Sequence, residues 1–382
     1  MIVTILLILG FCFLLTNALE LWLFGYQLLP KSKALLVTPK VSIMIPACNE
    51  EKHIFSAISS MEKMDYPNKE IIIVNDRSTD KTPQLIDELA KQSSIIKIIH
   101  IEHLPSHWMG KNHALYEGTK HTSGEWILFT DSDVYFDPDL LSRAMHFCLN
   151  KNLDHFAIFP KVEKSTFWMN SMMLLVTMMY FFMAKPWRAK HHWSQCSVGQ
   201  GSFNLVKKSV YFDCGGHEKI RLNSDDDVKL GALIKSKKYK QDICFAENAL
   251  RVPWYSSLPE MIKGLEKNIF AYMNYNISIM IFFTVFTFIL FYLPLFNLFF
   301  ASGIELVLCV INTMLIIMIF ILIAKRFGYP LCYSFLYPIT LAVDYYMSWR
   351  SLYYILKNQG VSWRDTFYSL ENIKEDYLKT KF

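Results

Sequence analysis

From Ile2 to Leu29 the chain carries one charge, Glu20. At 1.5 Å per residue this run is long enough to cross a bilayer core of ~30 Å as a helix. A cleaved leader is the rival reading, but it needs a basic start, a short apolar run and a small-residue cleavage site, and none is present. Lys31, Lys33 and Lys40 follow the run and nothing basic precedes it. The positive-inside rule therefore places residue 31 onward in the cytosol.

Between 41 and 162 the pattern changes. Short β-rich runs, Val41–Ala47, Glu70–Val74, Ile95–Ile101, Glu125–Thr130 and Phe156–Val162, alternate with helical stretches, Glu50–Met64, Thr82–Lys91, Lys111–His121 and Asp139–Asn150. This alternation predicts βαβ units and a mostly parallel sheet. Ligands of such sheets bind at the carboxyl ends of the strands, so the residues just after each run carry the functional interest.

From Ile277 to Ala324 the sole charge is Glu305, and a break near Pro294 to Gly303 predicts two spans, about 277–299 and 303–324. A third apolar segment, 329–348, holds Pro330, Pro338 and Asp344. It either crosses the bilayer, leaving Arg350, Lys357 and Arg364 outside, or is re-entrant or interfacial. Phe167 to Ala184 is uncharged and has six methionines; Asn170, Ser171 and Thr177 favour an interfacial or buried helix with an adaptable surface. The expected division is a spanning helix in 1–30, a cytosolic domain in 31–276, membrane segments in 277–356 and a polar tail in 357–382.

Composition agrees: of 382 residues 52% are hydrophobic and 19% charged, which excludes disorder and an ordinary soluble protein. A net charge of +5 is too small to imply a nucleic-acid partner. The eight cysteines are scattered without CxxC, so neither a disulfide nor a zinc framework is expected. His191, His192 and Cys196 lack a second ligand pair. P-loop and GxGxxG motifs are absent.

The strongest chemical signal is the apolar run from Trp126 that ends in Asp131, Ser132 and Asp133. Residues i and i+2 of an extended chain point the same way, so the two carboxylates offer oxygen ligands to a hard divalent cation, with positions left for diphosphate oxygens. Read alone, Asp131 and Asp133 are equally turn residues closing a strand. Three further features accompany them. The first strand ends in a tight turn through Pro46, Ala47, Cys48, Asn49 and Glu50. Asp76 follows the second strand, where it can accept from a base or ribose, or cap the next helix with Thr79. Gly110 and Lys111 open a helix, an arrangement that suits a phosphate.

Together these features resemble the inverting family 2 glycosyltransferases, from Val41 to about Asn268. VSIMIPACNEE resembles that family's opening strand. IIIVNDRSTDKT resembles its Asp-Asp-Gly-Ser-x-Asp segment, with Asn75 and Arg77 as departures, and TDSD resembles its metal motif. The resemblance implies a Rossmann-like, nucleotide-sugar-binding GT-A domain of α/β class, flanked by the transmembrane helices. It implies that Pro46, Ala47, Asn49, Glu50, Asp76, Lys111, Asp131 and Ser132 bind the nucleotide sugar, and that Asp131 and Asp133 hold Mg2+ or Mn2+.

Ser224 to Gly231 resembles the family's Glu-Asp segment, with Asp226 or Asp227 as catalytic base. An acceptor hydroxyl must lose a proton as it attacks the anomeric carbon, and adjacent carboxylates raise one another's pKa; the alternative is an acidic first helical turn favoured by the macrodipole. Gly199 to Asn204 and Gly215 to Glu218 resemble the acceptor-side wall. Gly201, His217, Trp254 and Lys267 are therefore expected on the acceptor or phosphate side, with Arg251 as another candidate for the diphosphate. For His217 and Lys267 the other readings are a packed histidine and a juxtamembrane lysine.

Processive synthases carry Gln-x-x-Arg-Trp, which this chain lacks, whereas Gly264 to Asn268 resembles membrane-attached members that glycosylate lipids. Trp363 to Tyr368 resembles a Trp-Arg-Gly-Arg-x-Tyr element, with Asp365 and Thr366 replacing its glycine and second arginine. The implied reaction is sugar transfer to a lipid hydroxyl or carboxyl at the cytosolic membrane face. The competing readings are a short polysaccharide synthase and a non-catalytic scaffold or transporter. A transporter needs polar groups inside its spans, and here only Glu20, Glu305 and Asp344 lie in apolar stretches.

Overall fold

The computed structural model describes residues 2–25, 27–31, 37–163, 165–364 and 366–379; Lys33 and Asp365 lie outside them. The chain divides into two compact units, each discontinuous in sequence. One comprises 27–163, 186–254 and 360–382. The other comprises 1–26, 164–185 and 255–359.

The first unit is α/β. Its strands are β1 (Val41–Ala47), β2 (Lys69–Asp76), β3 (Ile96–Ile101), β4 (Trp126–Phe129), β5 (Tyr135–Phe136), β6 (His155–Phe159), β7 (Lys161–Val162), β8 (Asn204–Lys207), β9 (Gln241–Phe245), β10 (Leu250–Val252), β11 (Gly360–Trp363) and β12 (Thr366–Ser369). Seven form one sheet in the order β3-β2-β1-β4-β8-β6-β9. Every pairing in it is parallel except those of β8 with β4 and β6. The near-continuous apolar runs of β1 and β2 reflect burial on both faces, as parallel strands require. Helices Ile54–Glu62 and Leu140–Lys151 cover one face through Ile54, Ile58, Met61, Leu141, Ala144 and Met145. Ala114 and Leu115 of helix Gly110–Thr119, with Leu230 and Ile234 of helix Asp226–Ser236, cover the other. Strands β5, β10 and β7 form a small second sheet, and β11–β12 a hairpin.

The second unit is helical. Its apolar helices include Ile2–Phe24, Ile277–Thr287 and Gly303–Phe327. The first C-terminal span changes from α to a π turn at Phe288–Tyr292 before resuming at Leu293. Pro294 sits at the resumption; it has no N–H to give the preceding turn, which explains the wider coil there. Among the described residues four segments are long and apolar enough to cross a membrane: Leu6–Phe24, Phe167–Lys190, Ile277–Asn297 and Gly303–Phe327. The third C-terminal segment is a helix from Tyr337 to Asn358, packed on helix Leu258–Tyr272. There Arg350 pairs with the Glu266 carboxylate, and the Ser351 hydroxyl accepts from the Phe270 N–H at 3.1 Å.

Candidate active site

In the order β3-β2-β1-β4, the chain winds one way from β1 to β2 and β3, and then returns to place β4 on the other side of β1. Such a reversal leaves a crevice outside the carboxyl ends of the two central strands. The turn Cys48 to Glu50 and the acidic triplet Asp131, Ser132, Asp133 lie at those ends. Because β8 runs antiparallel to β4, the segment that precedes it arrives at the same edge. The Asp131 N–H donates to the Gly201 carbonyl at 3.1 Å and the Thr130 hydroxyl to the Ser202 carbonyl at 2.8 Å.

This segment also receives the start of helix Asp226–Ser236. A Cβ on Gly199 would lie 1.9 Å from the Asp227 carbonyl oxygen, so only glycine lets the two backbones approach. A Cβ on Gly201 would lie 2.7 Å from Asp131 Oδ2 and 3.6 Å from Asp227 Oδ2. The candidate metal motif and the candidate base, almost a hundred residues apart in sequence, thus flank one glycine. Gly199→Ala is expected to displace Asp227 and abolish activity, with a lowered melting temperature. Gly201→Ala meets a movable carboxylate and should retain the fold; thermal melts of the two variants check the contrast.

Lys111 joins the carboxylates. Its Nζ lies 2.9 Å from Asp131 Oδ1 and 3.2 Å from Asp226 Oδ1. Asn112, beside it, is buried and donates to the carbonyls of Ile220 (2.7 Å) and Asn223 (2.9 Å), tying the helix start to the loop that leads into the acidic cluster. Behind Asp226 lies His217, which is 1% exposed. Its Nε2 is 3.8 Å from Asp226 Oδ2, and its Nδ1 is 2.9 Å from the Tyr211 hydroxyl. His217 therefore faces a buried carboxylate rather than an open acceptor surface.

The two aspartates are pushed apart. Burial opposes ionisation of both. At Asp226 the nearby Lys111 and the His217 ring outweigh burial and hold the pKa at about 2. At Asp227 burial and the Asp226 charge outweigh Lys111 and raise it to about 7. Burial, then Asp131 and Glu50, push Asp133 up to about 7 as well. Lys111 is held firmly protonated: burial disfavours its charge, but Asp131, Asp226 and Asp227 more than compensate.

On the β2 side, Asp76 is buried and bound at both oxygens by Arg77, with Nε–Oδ1 at 2.7 Å and Nη2–Oδ2 at 3.1 Å. Arg77 has φ +55°, a region where glycine is at ease and arginine is not, which accounts for glycine in the pattern that this segment resembles. A Cβ on Gly110 would lie 2.2 Å from Asp76 Oδ2, so the ion pair is packed directly against the helix start. Asn75 turns away to His100 at 3.1 Å. Asn49, at φ +57°, accepts the Thr79 N–H at 2.8 Å, and the Glu50 N–H donates to the Thr82 hydroxyl at 2.8 Å, which binds the β1 and β2 turns together. Pro46 and Ala47 lie within β1, and Ser132 is buried. Trp254 lies just beyond β10, whereas Lys267 belongs to helix Leu258–Tyr272 of the other unit.

Asp131 and Asp133 fit a divalent cation. Their donor atoms are hard oxygens, and a positive ion offsets both the burial and the neighbouring Asp131 and Glu50 charges that raise the Asp133 pKa. Among the described residues no group of three or more His, Cys, Asp or Glu side chains has metal-holding geometry, so two carboxylates would be the protein's share, with the diphosphate and water completing the shell.

Three participants escaped sequence reasoning: Tyr211 behind His217, Asn112 behind Lys111, and Arg77 as the partner of Asp76. Arg77 alone left a signal, as an arginine in a glycine position.

Residues 42–210 match the model of the family described as Glycosyl transferase family 2. The chain is 26% identical over 218 residues to 4,4'-diaponeurosporenoate glycosyltransferase of Staphylococcus aureus, covering 54% of each chain. It is 26% identical over 196 residues to beta-monoglucosyldiacylglycerol synthase of Nostoc sp., covering 50% of this chain and 40% of the relative. The chain thus spans about half the length of these curated relatives. Among solved structures, mannosyltransferase PcManGT from Pyrobaculum calidifontis, in complex with GDP-Man and Mn2+, superposes with a TM-score of 0.54 at 15% identity, covering 93% of this chain and 98% of that one. That likeness shows a shared GT-A-type α/β fold. Residues 42–210, which build β1 to β8 and the acidic crevice at their edge, are thus the part of the chain that is similar to glycosyl transferase family 2.

Proposed function

We propose that the protein transfers one sugar from a nucleotide sugar, UDP-linked by preference, to a hydroxyl or carboxyl group of a lipid, with inversion. The observation that carries this reading is the convergence of Asp131, Lys111, Asp226 and Asp227 on one strand edge. Asp227 takes the proton of the acceptor hydroxyl. The acceptor oxygen bonds to the anomeric carbon as the carbon–oxygen bond to the diphosphate breaks, and its electron pair leaves with the nucleoside diphosphate. Lys111 keeps Asp226 ionised and places a fixed cation beside the phosphates. Asp131 and Asp133 would hold Mg2+ or Mn2+, which when bound neutralises charge on the departing diphosphate. The names of the two curated relatives, one acting on a diacylglycerol lipid and one on a carotenoid acid, support a lipid acceptor.

An integral-membrane setting with a cytosolic domain is the companion proposal. Strands β6 and β8 pair in one sheet although 167–184 lies between them in sequence, which favours both flanks of that segment on one side of a bilayer. Residues before 255 and after 359 also share one unit. Two crossings, by 277–297 and 303–327, satisfy that pairing, with helix Tyr337–Asn358, which carries Asp344, Arg350 and Lys357, not crossing. Lys325 and Arg326 then lie in the cytosol, as the positive-inside rule favours.

The test is incubation of the purified full-length protein with a panel of nucleotide sugars, Mn2+ or Mg2+ and a total-lipid extract, with mass spectrometry of the organic phase. A single hexose or N-acetylhexosamine added to a lipid is expected, and Asp133→Ala should reduce the yield by about 10²-fold or more. A polymer product, or full activity in both Asp133→Ala and Asp227→Ala, would overturn the assignment.

A further inference from the structure

The hairpin β11–β12, at the far end of the chain, touches three turns of the strand edge. Arg364, between its two strands, donates to the Cys48 carbonyl and the Glu50 carboxylate after β1. The Thr366 hydroxyl accepts from Arg77 Nη1 after β2, at 3.4 Å. The Tyr368 hydroxyl accepts from the Gly110 N–H, at 3.2 Å, where the helix carrying Lys111 begins. Each turn holds residues that the family resemblance implies for the donor nucleotide: Asn49 and Glu50, Asp76, and Lys111.

Two details make this more than a packing contact. Arg77 and Arg364 sit at φ +55° and +44°, the left-handed region that glycine occupies more readily. At both places the guanidinium makes side-chain contacts across the hairpin and the strand-edge turns. Arg77 also stands where the resembled Asp-Asp-Gly-Ser segment has glycine, while Thr366 stands where the resembled Trp-Arg-Gly-Arg-x-Tyr element has arginine. The fold brings these two departures together, although 289 positions separate them in sequence.

Beside that contact is a cavity of about 530 Å³, lined by Arg77, His103, Trp108, Thr366 and Tyr368 among others. This lies within the roughly 300–1,000 Å³ typical of small-molecule sites. Arg77 commits Nε and Nη2 to Asp76, so Nη1 is the edge it presents toward the hairpin. Guanidinium donors beside aromatic side chains suit the carbonyl edge of a base and its ribose.

We infer that the C-terminal hairpin is a wall of the donor site, and that Arg77, bridging Asp76 to Thr366, is the guanidinium that positions the nucleoside of the donor. This rests on the donor reading above. The experiment measures calorimetric affinity of the full-length, detergent-solubilised protein for UDP and for GDP in the presence of Mn2+, with a thermal melt of each variant. Arg77→Gly should weaken the tighter nucleotide about tenfold or more, the worth of a charge-assisted hydrogen bond. The double variant Arg77→Gly/Thr366→Arg returns a guanidinium to the same contact from the hairpin side and should recover to within about threefold of the wild type. A variant that only misfolds cannot show that recovery. If Arg77→Gly binds as the wild type does, or if the double variant is no tighter than Arg77→Gly, the inference is wrong while the donor reading stands. If the wild type binds neither UDP nor GDP, the donor reading fails and this inference with it.

Discussion

Asp227→Asn should lower the rate of sugar transfer by about 10²–10⁴-fold, the usual worth of a positioned general base, while nucleotide affinity stays within about twofold of the wild type. Asparagine keeps the shape and removes only the proton acceptor. Asp226 is the less suited of the two, because Lys111 and His217 lie against its oxygens and hold it ionised with a pKa of about 2. A carboxylate that reluctant to take a proton makes a poor base. Asp227, raised to about 7 by burial and by the Asp226 charge, is matched to the task. The sign of the pH effect follows. Below pH 7 Asp227 is protonated and inactive as a base, so kcat/KM should fall about tenfold per unit on the acid side. A pH–rate profile of the wild type checks this; an acid limb centred near pH 4, or substantial activity in Asp227→Asn, would remove Asp227 from the role.

Lys111→Met is the second large effect. Methionine fills a similar volume but leaves Asp131 and Asp226 without their shared cation. Breaking a buried pair costs about 3–5 kcal/mol. The Asp226 side chain is 7% exposed, but that of Lys111 is 32% and that of Asp131 41% exposed, so the cost discounted for solvent screening is roughly 2 kcal/mol. For a domain of this size that corresponds to about 4–8 °C in melting temperature. Without Lys111 the Asp226 pKa rises in the folded state, so the folded protein holds its proton to higher pH than the unfolded chain does. Such a group loses stability as pH rises. The deficit of Lys111→Met should therefore be larger at pH 8 than at pH 5.5, and paired thermal melts measure it. Equal deficits at both pH values would mean that Lys111 acts through packing rather than charge. Transfer activity should fall together with stability, because Asp226 then competes with Asp227 for the proton.

Much of the α/β unit was legible because its signals are local. Strands β1 to β4 read as short apolar runs, and an apolar run followed at once by Asp131 and Asp133 marks a strand end by itself. Strand β8 was not legible: Asn204 to Lys207 is four residues long and has no distinctive period, and only its antiparallel pairing with β4 makes it a strand. The same pairing explains why the glycines at 199 and 201 matter, since each is defined by what it lies against.

By itself, then, the sequence determined the membrane-length apolar runs, the alternation of strands and helices, and the residue types able to bind a diphosphate and take a proton. These depend on periodicity and on neighbours a few residues away. The tertiary structure decided that Lys111 and His217 sit against Asp226, that Arg77 rather than solvent faces Asp76, that His217 is buried behind Asp226, and that the chain's last hairpin returns to the turns after β1 and β2. Each of these depends on groups tens to hundreds of residues apart. Charge interactions act through distance in space, and a linear pattern carries no record of that distance until the sheet order sets it.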